Sequence, residues 1–202
     1  FRRVVFDELC ANFLTLSENR KRIKKEKFSK KFSEKNSELI KQKLSFKLTK
    51  SQEKVIKEIN IDLSSKKRMF RIIQGDVGSG KTIVSLLVIS NVIESGYQCA
   101  LMGPTAILAK QHYELAKKIF KGNNFKIDFL TGKTEPKDKK EILKNLQNGN
   151  TDLLIGTHAL FQKKINFKKL GLAIIDEQHK FGVKQRSDLA NKGGDDCDVL
   201  LM

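Results

Sequence analysis

The segment Gly75-Asp76-Val77-Gly78-Ser79-Gly80-Lys81-Thr82 constrains this chain more than any other part of it. It fits the pattern G-x-x-x-x-G-K-[ST], with an apolar run before it and a helical pattern after it. Glycines at these spacings let successive backbone N–H groups curl around phosphate oxygens. The N-terminus of the following helix adds a favourable dipole. Lys81 would reach the β and γ phosphates of a nucleotide, and the Thr82 hydroxyl would take a place on Mg²⁺. A glycine turn that binds nothing is the plain alternative, and the strand and helix on either side argue against it.

The rest of the sequence supplies a matching framework. Residues 69–74, 98–102, 126–130, 152–156, 170–175 and 198–201 read as short strands. Residues 81–95, 106–120, 135–148 and 159–163 read as helices between them. Runs such as Leu172-Ala173-Ile174-Ile175 are apolar at every position, which implies a parallel sheet covered on both faces. Right-handed crossovers are then expected, with ligands at the carboxyl ends of the strands. The sequence contains no internal repeat.

Composition sets outer limits. Hydrophobic residues at 39% are too many for a wholly disordered chain, and the irregular pattern excludes collagen and simple coiled coils. No apolar run approaches the ~18–20 residues needed to span a bilayer. Nor do the first residues read as a secretory leader. Cys10, Cys99 and Cys197 show no metal-ligand spacing, and their odd number fits a reducing cytoplasm. Lys+Arg 40 against Asp+Glu 23 gives a net charge of +17. Such a field suits a polyanionic partner, although a lysine-biased proteome would produce the same surplus.

Residues 1–44 differ in character from residues 45–202. Val4, Val5, Leu9, Phe13, Leu14 and Leu16 fall at helical spacing. A Lys-rich stretch then leads to a short second helix around Leu39 and Ile40, and a run of that kind ordinarily forms a solvated face. The division expected is a helical, Lys-rich linker at 1–44 and one α/β domain at 45–202. Because the chain starts at Phe1 and ends within a strand pattern, it reads as a fragment.

Asp176 and Glu177 end the apolar run 170–175. An Asp there can hold Mg²⁺ directly or through water, and the adjacent Glu can polarise an attacking water as a general base. A surface turn with two acids is the alternative. With a phosphate loop upstream, the pair points to nucleotide hydrolysis rather than phosphoryl transfer to a small molecule.

Beyond these positions the residues resemble a known family. Asp176-Glu177-Gln178-His179 is similar to the DEXH box of superfamily 2 helicases and translocases. Its continuation Lys180-Phe181-Gly182-Val183-Lys184-Gln185-Arg186 resembles the corresponding stretch of the RecG family of bacterial branched-DNA helicases. The run Gln74–Thr82, the segment Phe46-Lys47-Leu48-Thr49-Lys50-Ser51-Gln52, Pro104 to His112, and Gly156-Thr157-His158-Ala159-Leu160 resemble the same family. So does Arg2 to Leu9 at the linker. Ala106 and Lys180 depart from it, where Glu and Arg are usual. The transcription-repair coupling translocases share several of these elements but typically carry D-E-E-H where this chain has Gln178.

The resemblance implies a RecA-like P-loop NTPase sandwich using ATP and Mg²⁺. Lys81, Asp176, Glu177, Gln178 and His179 would form its catalytic set. Gln52 would read the adenine edge beside the loop Gly75, Asp76, Val77, Gly78, Ser79, Gly80, Lys81 and Thr82. Thr82 and Asp176 would hold the metal, while Gln178 and His179 would couple the nucleotide to a second lobe. Pro104, Thr105, Thr131, Gly132, Gly156, Thr157 and His158 would face a nucleic-acid backbone. The implied partners are branched DNA, a second RecA-like lobe with arginine fingers, and an upstream wedge domain, with no membrane. His112 reads as a structural residue in a helix, and Gly132-Lys133-Thr134 lacks the upstream glycine of a second phosphate loop.

Overall fold

Among the described residues six short strands carry the fold, because their apolar residues and backbone groups are satisfied together inside a sheet. The computed structural model describes residue 27 and residues 35–162, 164–177, 180 and 192–202. The strands are β1 (Phe70–Ile72), β2 (Gln98–Met102), β3 (Ile127–Leu130), β4 (Leu153–Gly156), β5 (Leu170–Ile175) and β6 (Asp198–Leu201). They form one parallel sheet in the order β1-β6-β5-β2-β4-β3. Every residue of β2, β4, β5 and β6 is buried. Alternation divides them between two cores: Leu101, Ile155, Leu172 and Ile174 on one face, Met102, Leu154, Ala173 and Ile175 on the other.

Among the described residues five α-helices flank the sheet: α1 (Lys35–Lys43), α2 (Lys50–Ser64), α3 (Lys81–Glu94), α4 (Ala106–Ile119) and α5 (Pro136–Asn148). From Val84 to Ile93, α3 is buried without interruption. It is buried all round because the sheet lies on one side and α1 and α2 cover the other. α5 starts with Pro136 in its first turn and stops at Gly149, whose φ of 81° suits a left-handed cap. Its Ile142, Leu143 and Leu146 close the opposite core. No described helix is long and apolar enough to cross a membrane.

Three places differ from the sequence reading. Residues 50–64, to which it assigns no element, are the helix α2. Thr49 starts that helix with a reciprocal cap: its hydroxyl accepts from the Gln52 N–H at 3.2 Å, and Gln52 Oε1 accepts from the Thr49 N–H at 2.9 Å. The helix expected at 159–163 is a single 3₁₀ turn, His158–Phe161. Ala159 and Leu160 are both fully buried, and adjacent residues cannot share one face of an amphipathic helix.

The third difference lies in the Lys-rich stretch. Lys27 is interior rather than solvated: its Nζ donates to both Asp198 oxygens at 2.6 Å and to the Leu63 carbonyl at 2.8 Å. Its backbone N–H donates to the Lys66 carbonyl at 2.8 Å. α1 stands where the short second helix is expected and buries Ile40 against the core. The helix expected over residues 1–16 lies outside the described residues.

Candidate functional site

Parallel register puts the carboxyl ends of all six strands along one edge, and the strand order sorts what those ends carry. β1 and β5, on one half, lead into the glycine loop and into Asp176-Glu177. β2, β4 and β3, on the other half, lead into Pro104-Thr105, Thr157-His158 and Thr131-Gly132.

The glycine loop needs its glycines. Gly78 and Gly80 have φ of 81° and 83°, conformations an L side chain rarely adopts. A Cβ on Gly80 would also collide with Gln52 Nε2. That close approach lets Gln52 lie across the loop and donate to the Ser79 carbonyl at 2.9 Å. Both polar atoms of Gln52 are thus engaged, one capping α2 and one holding the loop. Gly75, Asp76, Gly78 and Ser79 are exposed, and Val77 at the tip is almost wholly so. Lys81 folds back over the loop, its Nζ donating to the Gly75 carbonyl at 2.5 Å and the Asp76 carbonyl at 2.9 Å. Thr82 follows in the first turn of α3.

Asp176 is fixed at both carboxylate oxygens. Oδ1 accepts from the Glu177 N–H at 2.9 Å, and Oδ2 lies 2.7 Å from His112 Nε2. Burial alone would raise its pKa. The His112 hydrogen bond and charge, the Glu177 N–H and the charge of Lys81 outweigh burial, and the carboxyl stays below its usual range. Glu177 is the one non-glycine among the described residues with positive φ, at 51°, a backbone cost concentrated beside the carboxylate pair. Gln178 and His179 lie outside the described residues.

The loops of the other half divide by exposure. Thr105, Gly132 and His158 are exposed and Pro104 is half-buried, whereas Thr131, Gly156 and Thr157 are buried. The Thr105 hydroxyl caps α4 by accepting from the Leu108 N–H at 3.2 Å. The Thr131 hydroxyl accepts from the Lys133 N–H at 3.3 Å, closing its own turn. Gly156 has no room for a side chain, since a Cβ there would collide with the Leu130 carbonyl oxygen. The residue that sequence reasoning missed is His112, which it treats as structural. The signal in the chain was its place at the end of the Pro104–His112 segment that resembles the family, two helical turns after Thr105.

Comparison with known proteins agrees with this arrangement. Residues 49–197 match the DEAD/DEAH box helicase family. The chain is 49% identical over 193 residues to the ATP-dependent DNA helicase RecG of Aquifex aeolicus (strain VF5), covering 95% of this chain and 24% of that protein. It is 45% identical to the RecG of Bacillus subtilis (strain 168), covering 100% of this chain and 30% of the relative. The chain therefore spans between a fifth and a third of the length of the RecG proteins it matches. Among solved structures, RecG bound to a three-way DNA junction superimposes with a TM-score of 0.81 at 43% identity, over 95% of this chain and 25% of that one. Mss116p bound to ssRNA and AMP-PNP shares the fold, with a TM-score of 0.66 at 23% identity over 83% of this chain and 37% of that one. A phosphate loop and a strand-end Asp-Glu pair on a shared sheet edge, within a match that covers most of the sequence, lead to one conclusion: this chain belongs to the DEAD/DEAH box helicase family.

Proposed function

We propose that this chain is the helical linker and first motor lobe of a RecG-type ATP-dependent DNA helicase, a cytoplasmic enzyme that remodels branched DNA at replication forks and recombination intermediates. Residues 1–44 are the linker and residues 45–202 the lobe. The observation that carries the reading is the shared sheet edge of the glycine loop and the Asp176-Glu177 pair. The two segments, far apart in sequence, follow the carboxyl ends of β1 and β5 in one parallel sheet.

The residues suit ATP and Mg²⁺. Thr82 and the ionised Asp176 offer a hydroxyl and a carboxylate, hard oxygen ligands of the kind that ion takes. When bound, the ion would neutralise negative charge that develops on the phosphates during transfer. Lys81 would exchange its two loop carbonyls for phosphate oxygens, a stronger charge-assisted interaction. Glu177 would accept the proton of the attacking water. Gln52 would read the adenine edge from its seat on the loop, and Gln178 and His179 would couple the nucleotide to the second lobe. Pro104, Thr105, Thr131, Gly132, Gly156, Thr157 and His158 would track the DNA backbone, which carries no sequence information. The surplus of positive charge supports a polyanionic partner. An arginine supplied in trans contributes about 10³–10⁵ in rate to related NTPases. The chain alone should therefore bind ATP weakly and turn it over very slowly.

The test is ATP turnover by the complete gene product without DNA, with linear duplex and with forked DNA. Strong stimulation by forks is expected, and Glu177→Gln should trap ATP and abolish hydrolysis. Turnover indifferent to branching would replace the fork-specific reading with that of a transcription-coupled translocase. No turnover under any condition would leave only a nucleotide-dependent binding protein.

A further inference from the structure

We propose that His112 is a positioning residue that links the strand-end loop 103–105 to the carboxylate of Asp176, so that nucleic acid held at that loop sets how the carboxylate meets the metal. The inference rests on the motor-lobe reading and deepens it.

Little is free to move at Asp176. Its backbone is pinned to the neighbouring strand, the N–H donating to the Met102 carbonyl at 2.9 Å. β5 and β2 are in register to their ends, Ile175 beside Met102, and both strands are fully buried. Rotation of the Asp176 side chain is therefore the main freedom left at this point. Oδ1 is held locally by the Glu177 N–H, so among the described residues the bond from His112 to Oδ2 is the one that reaches the Asp176 carboxylate from another element. An ionised carboxylate only accepts, so Nε2 carries the hydrogen and donates it.

His112 belongs to α4, whose N-terminus is the loop in question. Its side chain is buried, on the same face as Ala109 and Ala116. Thr105 caps the helix, and a Cβ on Gly103 would lie 3.1 Å from the Ala109 nitrogen, so loop and first turn pack as one body. Two turns of rigid helix, about 10 Å, separate Thr105 from His112. A tilt or shift of α4 caused by a ligand at Pro104-Thr105 is thus delivered at Oδ2. A buried imidazole is costly in an apolar interface unless its polar atoms are used. Here one of them is used on the carboxylate that Mg²⁺ would need.

The experiment uses the complete gene product, with His112→Ala and His112→Gln beside the parent. It reads basal and fork-stimulated ATP turnover, fork binding, and the Mg²⁺ concentration at half-saturation for a fluorescent ATP analogue with and without forked DNA. His112→Ala should lower the ratio of stimulated to basal turnover about tenfold, the scale of one charge-assisted hydrogen bond. It should also erase the DNA-induced change in Mg²⁺ half-saturation, with fork binding unchanged. His112→Gln, which returns an N–H at similar reach, should restore about half of the stimulation or more. If the Ala variant is too unstable to assay, His112→Leu fills the volume without the N–H and carries the same expectation. Stimulation that survives loss of the N–H to within about twofold overturns the proposal. So does an equal fall in basal and stimulated turnover, which is what a packing defect produces. A parent protein that DNA does not stimulate at all refutes the motor reading itself, a result distinct from either of these.

Discussion

Replacing Lys27 by Met should remove a large share of the stability of this lobe. Lys27 and Asp198 expose no side-chain surface, and Nζ donates to both carboxylate oxygens at 2.6 Å. Asp198 also accepts from the Met69 N–H at 2.7 Å, so one carboxylate joins Lys27, the entry to β1 and the start of β6. Removing one member of a buried pair leaves the other desolvated and costs about 3–5 kcal/mol. Domains of this kind have roughly 5–15 kcal/mol in all. With a urea dependence of about 2 kcal/mol per M, the unfolding midpoint should fall by about 2 M. The double variant Lys27→Met with Asp198→Asn keeps an acceptor for Met69 and buries no lone charge. It should recover about half the loss or more, a coupling that the double-mutant cycle reads directly. A midpoint shift below about 0.5 M for Lys27→Met, or a double variant as unstable as the sum of the singles, would refute the reasoning.

Three further outcomes are expected from the geometry. Glu177→Gly relieves a positive φ and should raise folding stability by about 0.5–1 kcal/mol in urea titration while abolishing ATP turnover in the complete protein. Gly156→Ala forces a methyl group against the Leu130 carbonyl and should cost about 3 kcal/mol or more, seen as loss of soluble, cooperatively melting protein. Thr49→Ala removes one half of the α2 cap and should cost about 1 kcal/mol by the same titration; Gln52→Ala should cost a similar amount and also weaken binding of a fluorescent ATP analogue, because it frees the Ser79 carbonyl.

The strands β2, β4, β5 and β6 were legible because a sheet buried on both faces demands largely apolar runs, whereas β1 leaves Phe70 and Ile72 exposed at the sheet edge. The helix α3 was legible from the glycine loop that opens it. α2 was not, although Thr49 and Gln52 at capping-box spacing and Ile56, Ile59 and Leu63 at helical spacing are visible once sought. Strand order could not be read at all, since nothing local in Phe70–Ile72 specifies pairing with residues near 200. The same limit hid Lys27 and His112. Each owes its environment to a partner far along the chain, and a lysine in a lysine-rich run carries no mark of its fate. The glycine loop and the Asp-Glu pair were legible as chemistry before their meeting on one edge was known.

That strand order has a consequence for how the lobe is made. Among the described residues β1 has β6 as its one sheet neighbour, with Phe70 opposite Val199 and Ile72 opposite Leu201. A ribosome adding about 5–20 residues per second needs roughly ten seconds between these partners. Throughout that interval the β1 strand that leads into the phosphate loop has no edge to join, while β2, β3, β4 and β5 can already pair. Loop closure over so long a separation is also the slow step expected of a non-local topology. The glycine loop is then fixed on the sheet later in translation than the loops that follow β2, β4 and β5, so a ligand at that loop would brace the sheet once β6 is in place but would not guide its early stages.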